Sequence, residues 1–185
     1  MSVTQQLDAE QLAAILPELQ KSPSTGGVLE GIVIRTDKDM RRCAQESEVT
    51  MEDGLPGDRW RHDCKRRLPD GRVNPDTQLT LMNTRFLAPI AGSRERWELA
   101  GDNLLVDLDL TERNLPVGQR LRIGAVVLEI TAQPHTGCVK FKRRFGDAAF
   151  QFANAPERAP LRLRGVHAQV IQPGRIRVGD RIEKV

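Results

Sequence analysis

Apolar residues along this chain repeat with two different periods. Between residues 7 and 16, Leu7, Leu12, Ile15 and Leu16 recur at helical spacing and share one face. Asp8 is placed to cap that helix, with Leu7 before it and Leu12 after it as a hydrophobic staple. Pro17 disfavours helical geometry at Leu16, so the helix should kink or end there. Residues 22–27, rich in Ser, Pro, Thr and Gly, read as a linker. From Val28 onward the period falls to two. Val28, Ile32 and Ile34 alternate with Leu29 and Val33, which predicts a strand apolar on both faces. Residues 78–82 predict another strand, and residues 103–110 alternate Leu104, Val106, Leu108 and Leu110 against polar neighbours, with Leu105 the exception. Residues 121–131 predict a strand pair broken at Gly124, and residues 165–171 and 174–185 predict the closing strands. The stretch 117–124 is echoed by 174–180, each read as a strand, a glycine turn and a further strand. Beyond the N-terminus, helices are predicted only at 83–90, limited by Pro89, and at 143–152. Short strands separated by Gly and Pro predict a barrel or a sandwich.

Composition narrows the class. A length of 185 residues suits one domain, and 39% apolar with 29% charged residues is usual for a folded globular chain. No apolar run approaches the roughly 18 residues of a membrane helix. The start lacks the basic and apolar regions of a secretion signal. A cytoplasmic protein with no membrane partner is the expectation. Three cysteines, Cys43, Cys64 and Cys138, are odd in number and irregular in spacing, which suits reduced thiols and not a disulfide framework. With no C-x-x-C, neither a redox dithiol nor an iron–sulfur cluster is signalled. The net charge is only +3, but cations cluster at Arg59, Arg61, Lys65, Arg66, Arg67 and again at Lys140, Lys142, Arg143, Arg144. Such clusters suit a phosphate-bearing ligand or a nucleic acid. Aromatic content of 4% and the lack of Tyr leave few stacking platforms for single strands, so no nucleic-acid partner is expected.

Chemistry concentrates in residues 133–146, Gln-Pro-His-Thr-Gly-Cys-Val-Lys-Phe-Lys-Arg-Arg-Phe-Gly. The segment leaves a strand, and Pro134 and Gly137 hold it in a turn, where Gly137 would also leave room for a ligand to approach Cys138. Four cationic side chains follow within six residues and His135 stands three before. A thiol so surrounded is expected to ionise readily, and a thiolate is both a nucleophile and a soft metal ligand. The competing reading of Cys138 is a small buried hydrophobe. His62, Cys64, His135 and Cys138 also carry the atom types of a zinc site, but at spacings looser than those of zinc modules.

These segments together resemble the MOSC domain family, the module at the C-terminus of molybdenum cofactor sulfurases and in free-standing bacterial proteins, and they resemble the mitochondrial amidoxime reducing components. In the family's order come Gly54-Leu-Pro-Gly-Asp-Arg59, Gln78-Leu-Thr-Leu81, Gly101-Asp-Asn-Leu104, Leu115-Pro-Val-Gly118 with Leu121-Arg-Ile-Gly124, His135-Thr-Gly-Cys138 with Lys140-Phe141 and Arg144-Phe-Gly146, then Arg164-Gly165 and Val178-Gly-Asp180. Trp60 stands where many members have His, and Asp102 replaces the usual Glu. The resemblance implies a mainly β fold, a closed MOSC-type barrel like the pyruvate-kinase β-barrel, with a short N-terminal helix and a few peripheral helices. Residues 1–26 would be the N-terminal helix and linker, and residues 27–185 the domain.

The resemblance further implies binding of molybdenum cofactor (molybdopterin), with Cys138 as metal ligand and catalytic residue and His135 beside it. Lys140, Arg143 and Arg144 would grip the pterin phosphate, and Arg59, Asp102 and Asn103 would line the same pocket. The implied activity is reduction of small N-hydroxylated compounds with electrons from a separate protein. The alternatives are a persulfide carrier fed by a separate sulfur donor, or a non-enzymatic scaffold. No PLP is expected in this chain.

Overall fold

The run that is apolar on both faces forms the longest strand, β1 (Gly27–Asp37), in a computed structural model that describes residues 6–185. Before it come two short helices, α1 (Ala9–Ala13) and α2 (Leu16–Leu19). Asp8 caps α1 as expected and forms a reciprocal capping box with Gln11. The first helix ends at Ala13 and not at Leu16, which is itself helical; Pro17 lies in the first turn of α2, where it lacks only an N–H that has no helical partner. After β1 the chain runs through β2 (Met40–Ala44), β3 (Glu46–Val49), α3 (Trp60–Asp63), β4 (Leu79–Asn83), α4 (Thr84–Ala91) and β5 (Leu104–Asp107). It continues through β6 (Arg120–Ile123), β7 (Val126–Ile130), α5 (Val139–Phe145), α6 (Asp147–Asn154), β8 (Val166–Gln172), β9 (Gly174–Arg177) and β10 (Arg181–Lys184).

The main sheet runs β10-β6-β7-β8-β4-β5-β1-β2 and closes through a further β10–β1 pairing, giving a seven-stranded barrel with β2 outside the ring. Closure leaves no open edge within the ring. Among the described residues only β4 and β5 pair in parallel, and α4 supplies the crossover such a pair requires. The fold is therefore the mainly β, closed barrel implied by the sequence.

Two cores explain the two-faced strands. Leu29, Ile32, Ile34, Leu81, Leu104 and Leu128 fill the barrel. Val33, Met82 and Leu105 point outward, onto Leu12, Phe86, Phe141 and Phe145 of the surrounding helices. Leu105, the exception to the alternation, is thus one of the residues that bind the barrel wall to its helical coat.

Several local expectations shift. The helix expected at 143–152 is two helices, α5 and α6, that meet at Gly146. The helix expected at 83–90 runs through Pro89 to Ala91. β2 and β3 were not expected, because their sequences are charged. β3 is held by pairing with β9, where Glu46 faces Arg177 and Glu48 faces Arg175 across the ladder. The echo of 117–124 in 174–180 is only partly structural. β6 and β7 form a true hairpin, whereas β9 pairs with β3 and β10 with β6 and β1, so the chain changes sheets at the second glycine turn.

One buried residue links the start of β5 to two other elements. The Asn103 Oδ1 accepts from the Thr80 backbone N–H at 3.2 Å, and its Nδ2 donates to Asp58 Oδ2 at 2.9 Å. Asp58 in turn accepts a forked pair from Arg35, at 2.9 and 2.8 Å. We predict that Asn103→Ala costs about 2–3 kcal/mol of stability in denaturant unfolding, because it strands these buried partners.

Candidate functional site

The loop between β7 and α5 carries the functional candidates, and three contacts fix its course. His167, on β8, turns Nδ1 toward the Gln133 carbonyl at 3.1 Å. The Thr131 hydroxyl donates to the Asp76 carbonyl at 2.7 Å. Gly137 exchanges two hydrogen bonds with the Asn154 side chain of α6, at 2.8 and 3.2 Å. A Cβ on Gly137 would stand 2.9 Å from Asn154 Nδ2 and 3.3 Å from the Phe150 ring. The space beside this glycine is therefore taken by α6 and not by the approach to Cys138.

Behind the loop lies a buried polar knot. Arg164 Nη1 meets Asp102 Oδ2 at 2.5 Å, and Nη2 donates to the Ala100 carbonyl at 2.9 Å. The same guanidinium lies 5.0 Å from the centre of the Phe141 ring, within cation–π range. The other Asp102 oxygen, Oδ1, faces His135 Nδ1 at 3.5 Å, too long for a good hydrogen bond. Asp102 Oδ1, His135 Nδ1 and Arg164 Nε are all buried without a hydrogen-bond partner among the described residues. Burial pushes the Asp102 carboxyl up, and the Arg164 guanidinium opposes that push. Gly165 permits the arrangement: with φ at +106°, a Cβ there would stand 2.1 Å from the Leu81 carbonyl oxygen and 3.3 Å from His135 Nδ1.

The His135 and His167 rings lie 4.4 Å apart, tilted by 51°. Burial pushes the His135 imidazole well below its usual value, and the nearby Arg164 cation adds to the shift. His167 shifts the same way for the same first reason. Both rings are therefore neutral at pH 7. They form part of the wall of a cavity of about 580 Å³, together with Glu112, Pro116, Val117, Ala159, residues 131–136, residues 153–155 and residues 162–166.

Cys138 is exposed and free, at the N-cap of α5 with no side-chain hydrogen bond. It is not a lining residue of the cavity, and among the site residues expected from sequence only His135 lines it. Lys140 and Arg144 both reach Asp39, at 3.2 and 2.6 Å. Hydrogen bonding to Lys140 holds the Asp39 carboxyl below the usual carboxylate range. Arg41, beside them, has a buried Nε with no partner; burial and then Arg144 lower its pKa, and Arg59 is within range. Arg143 is exposed. Arg59 pairs with Asp63 at 3.2 Å. Asp102 and Asn103 are wholly buried, the first behind His135 and the second in the network beneath it. The sequence reading missed Arg41, Asp39 and His167 as members of these groups. Arg164 was visible in a matched motif, but its ion pair with Asp102 is a contact 62 residues distant. The loose zinc quartet does not assemble: among the described residues no group of three or more His, Cys, Asp or Glu is placed to hold a metal ion. Cys64 lies near Thr77, and Cys43 contacts Glu98 at 3.3 Å. No helix among the described residues is long and apolar enough to cross a membrane.

The sequence profile of the MOSC domain family matches residues 70–183. Compared with curated proteins, the sequence finds no match. Among solved structures the fold resembles the YuaD protein from Bacillus subtilis, with a TM-score of 0.58 and 19% identity over 85% of this chain and 94% of that one. It also resembles YiiM from Geobacillus stearothermophilus, at 0.55 and 16% over 86% and 75% of the two chains. YiiM from Escherichia coli gives 0.52 and 24% over 87% and 69%. At these identities the likeness is one of fold.

The two neutral histidines make a prediction about acid stability. Their folded pKa values lie below the unfolded value, so the unfolded chain binds more protons as pH falls below about 6.5. Stability should be full above that pH and decline beneath it, by up to about 1.4 kcal/mol per pH unit for each ring. Thermal unfolding between pH 7.5 and 5 should show this slope in the native chain and a shallower one in His135→Gln.

Proposed function

The chain belongs to the MOSC domain family, and from that premise we propose that it binds molybdenum cofactor with Cys138 as the protein ligand to the metal. The observation that supports this most is the placing of the thiol. The loop that walls the cavity at Gln133–Thr136 delivers Cys138, free and exposed, two residues later, at the start of a helix bearing Lys140, Arg143 and Arg144.

The donor set fits the group in kind. A thiolate is a soft ligand suited to such a metal, and the neighbouring cations suit a phosphate. Arg143 is free to meet the phosphate directly. Lys140 and Arg144 must first exchange Asp39 for it, and Arg41 lies beside them, its Nη1 donating to the Asp39 carbonyl at 3.1 Å. When bound, the metal would supply oxygen-atom removal from small N-hydroxylated compounds. The chain's own residues would hold the phosphate, place the thiolate and shape the space beside it. Electrons would come from a separate protein, since the sequence carries no motif for a flavin, haem or iron–sulfur carrier.

The test is elemental analysis and pterin fluorescence on protein made in a host with intact cofactor synthesis. We expect molybdenum and pterin near one per chain in the native protein and a loss of at least about tenfold in Cys138→Ala. Full retention in the variant would remove Cys138 as the ligand. Their absence from the native protein would turn the reading to the persulfide carrier, which uses the same thiol.

A further inference from the structure

The cations proposed to hold a phosphate already hold an anion of the chain itself. A single oxygen, Asp39 Oδ1, meets Lys140 Nζ at 3.2 Å and Arg144 Nη2 at 2.6 Å. Arg41 Nη1 donates to the Asp39 carbonyl at 3.1 Å, and Arg143 lies within electrostatic range of the same carboxylate. Glu98, in range of Arg41, is a second carboxylate nearby, and it accepts from the Cys43 thiol. Two carboxylates against four cations leave an excess of positive charge, which draws anions to this place.

The two sides of this contact are held unequally. The Arg144 side chain is 12% exposed and the Asp39 side chain 40%. Arg144 needs no help from Asp39 to stay in place. Its Nη1 donates to the Leu99 carbonyl at 3.0 Å, and its own carbonyl accepts from Arg96 Nη2 at 2.9 Å. Asp39 stands instead in the two-residue turn between Asp37 and Met40, at the tip of the β1–β2 hairpin. Among the described residues β2 pairs only with β1, outside the barrel ring. The register of that pairing shifts between Ile34 and Asp37, which separates the tip from the regular ladder. The cationic side is thus fixed, and the anionic side is free to leave.

We propose that Asp39 is a built-in competitor: its carboxylate occupies the anion site between Lys140 and Arg144 and must leave before a ligand phosphate can enter. The inference rests on the reading of these cations as a phosphate grip, and not on molybdenum or on Cys138. Tethering keeps the carboxylate at a high effective concentration, so a free carboxylate or another weak anion does not displace it. A phosphate monoester has more to offer. It carries nearly two charges at pH 7.5, and its three oxygens let Lys140 and Arg144 each take one of their own. The turn therefore screens the site against ordinary anions while leaving it open to a phosphate monoester.

Asp39→Asn removes the charge and keeps the turn, because Asn also adopts the left-handed conformation that Asp39 holds at φ 61°. The test is an NMR titration of the full chain and of this variant with methyl phosphate and dimethyl phosphate, at pH 7.5 and fixed ionic strength. The first ester is close to a dianion and the second is a monoanion. A competitor that must be displaced lowers the affinity of every ligand by one common factor. Both esters should therefore bind the variant about tenfold more tightly, as for a site closed about nine-tenths of the time. Adding Lys140→Gln to the variant should weaken methyl phosphate again, by about fivefold. Unchanged affinity in Asp39→Asn, or no effect of Lys140→Gln, would overturn the proposal. So would a gain confined to methyl phosphate, since that is the mark of charge repulsion without displacement, or no binding of methyl phosphate to the variant. Molybdenum measured in the same preparations separates this inference from the cofactor reading. Equal tightening without molybdenum keeps the competitor and removes the cofactor, and molybdenum near one per chain without tightening removes the competitor alone.

Discussion

The buried contact between Asp102 and Arg164 is the constraint on which the candidate site depends. It joins the turn before β5 to the segment that leads into β8, and it lies between the barrel wall and α5. Burying two charges is costly, and a well-packed apolar pair of similar volume is often as stable or more so. Stability alone is therefore a weak reason for this pair. Its geometry suggests a different role. Arg164 spends its Nη groups on Asp102 and a backbone carbonyl and stacks on Phe141, which leaves one carboxylate oxygen pointing at His135. The pair thus presents a carboxylate oxygen to one nitrogen of His135, which favours the proton there. At 3.5 Å this contact is too long for a hydrogen bond, and contacts of this kind often tighten only when a ligand is bound.

From this point the loop after β7 divides its work by position. Its first residues form a cavity wall with neutral acceptors. Its last residue is an exposed thiol, and the helix that follows carries cations. Lys140 and Arg144 are already occupied by Asp39, which sits at the tip of the β1–β2 hairpin in a left-handed conformation with φ at 61°. An arriving phosphate must displace an internal anion, so the affinity of the cationic group is reduced by that competition.

Most of the barrel was legible in the sequence. The alternation in residues 103–110 and the two-faced run from Val28 found the strands, because barrel interiors and helix-covered walls impose strict periods. β2 and β3 were hidden because neither shows apolar periodicity: β3 is held by a charge ladder with β9, and β2 by backbone pairing with β1. Cys138 and the cations of α5 were legible because they are adjacent in the chain. His167 was not, because it reaches His135 only when β8 packs beside β7. Gly137 was seen as special for the wrong reason: α6 and not a ligand fills the space it leaves. The internal echo misled because the same strand–glycine–strand pattern serves a hairpin in one place and a change of sheet in the other.

The central claim is that the knot holds His135 neutral, with Nδ1 turned to the Asp102 carboxylate. Histidine-selective ¹⁵N NMR, assigned with single histidine variants, tests it most directly. The account predicts that His135 and His167 both show the Nδ1–H neutral tautomer at pH 7, and that His135 takes up its proton at lower pH than an exposed histidine. A His135 resonance of imidazolium at pH 7, or of the Nε2–H tautomer, would contradict it.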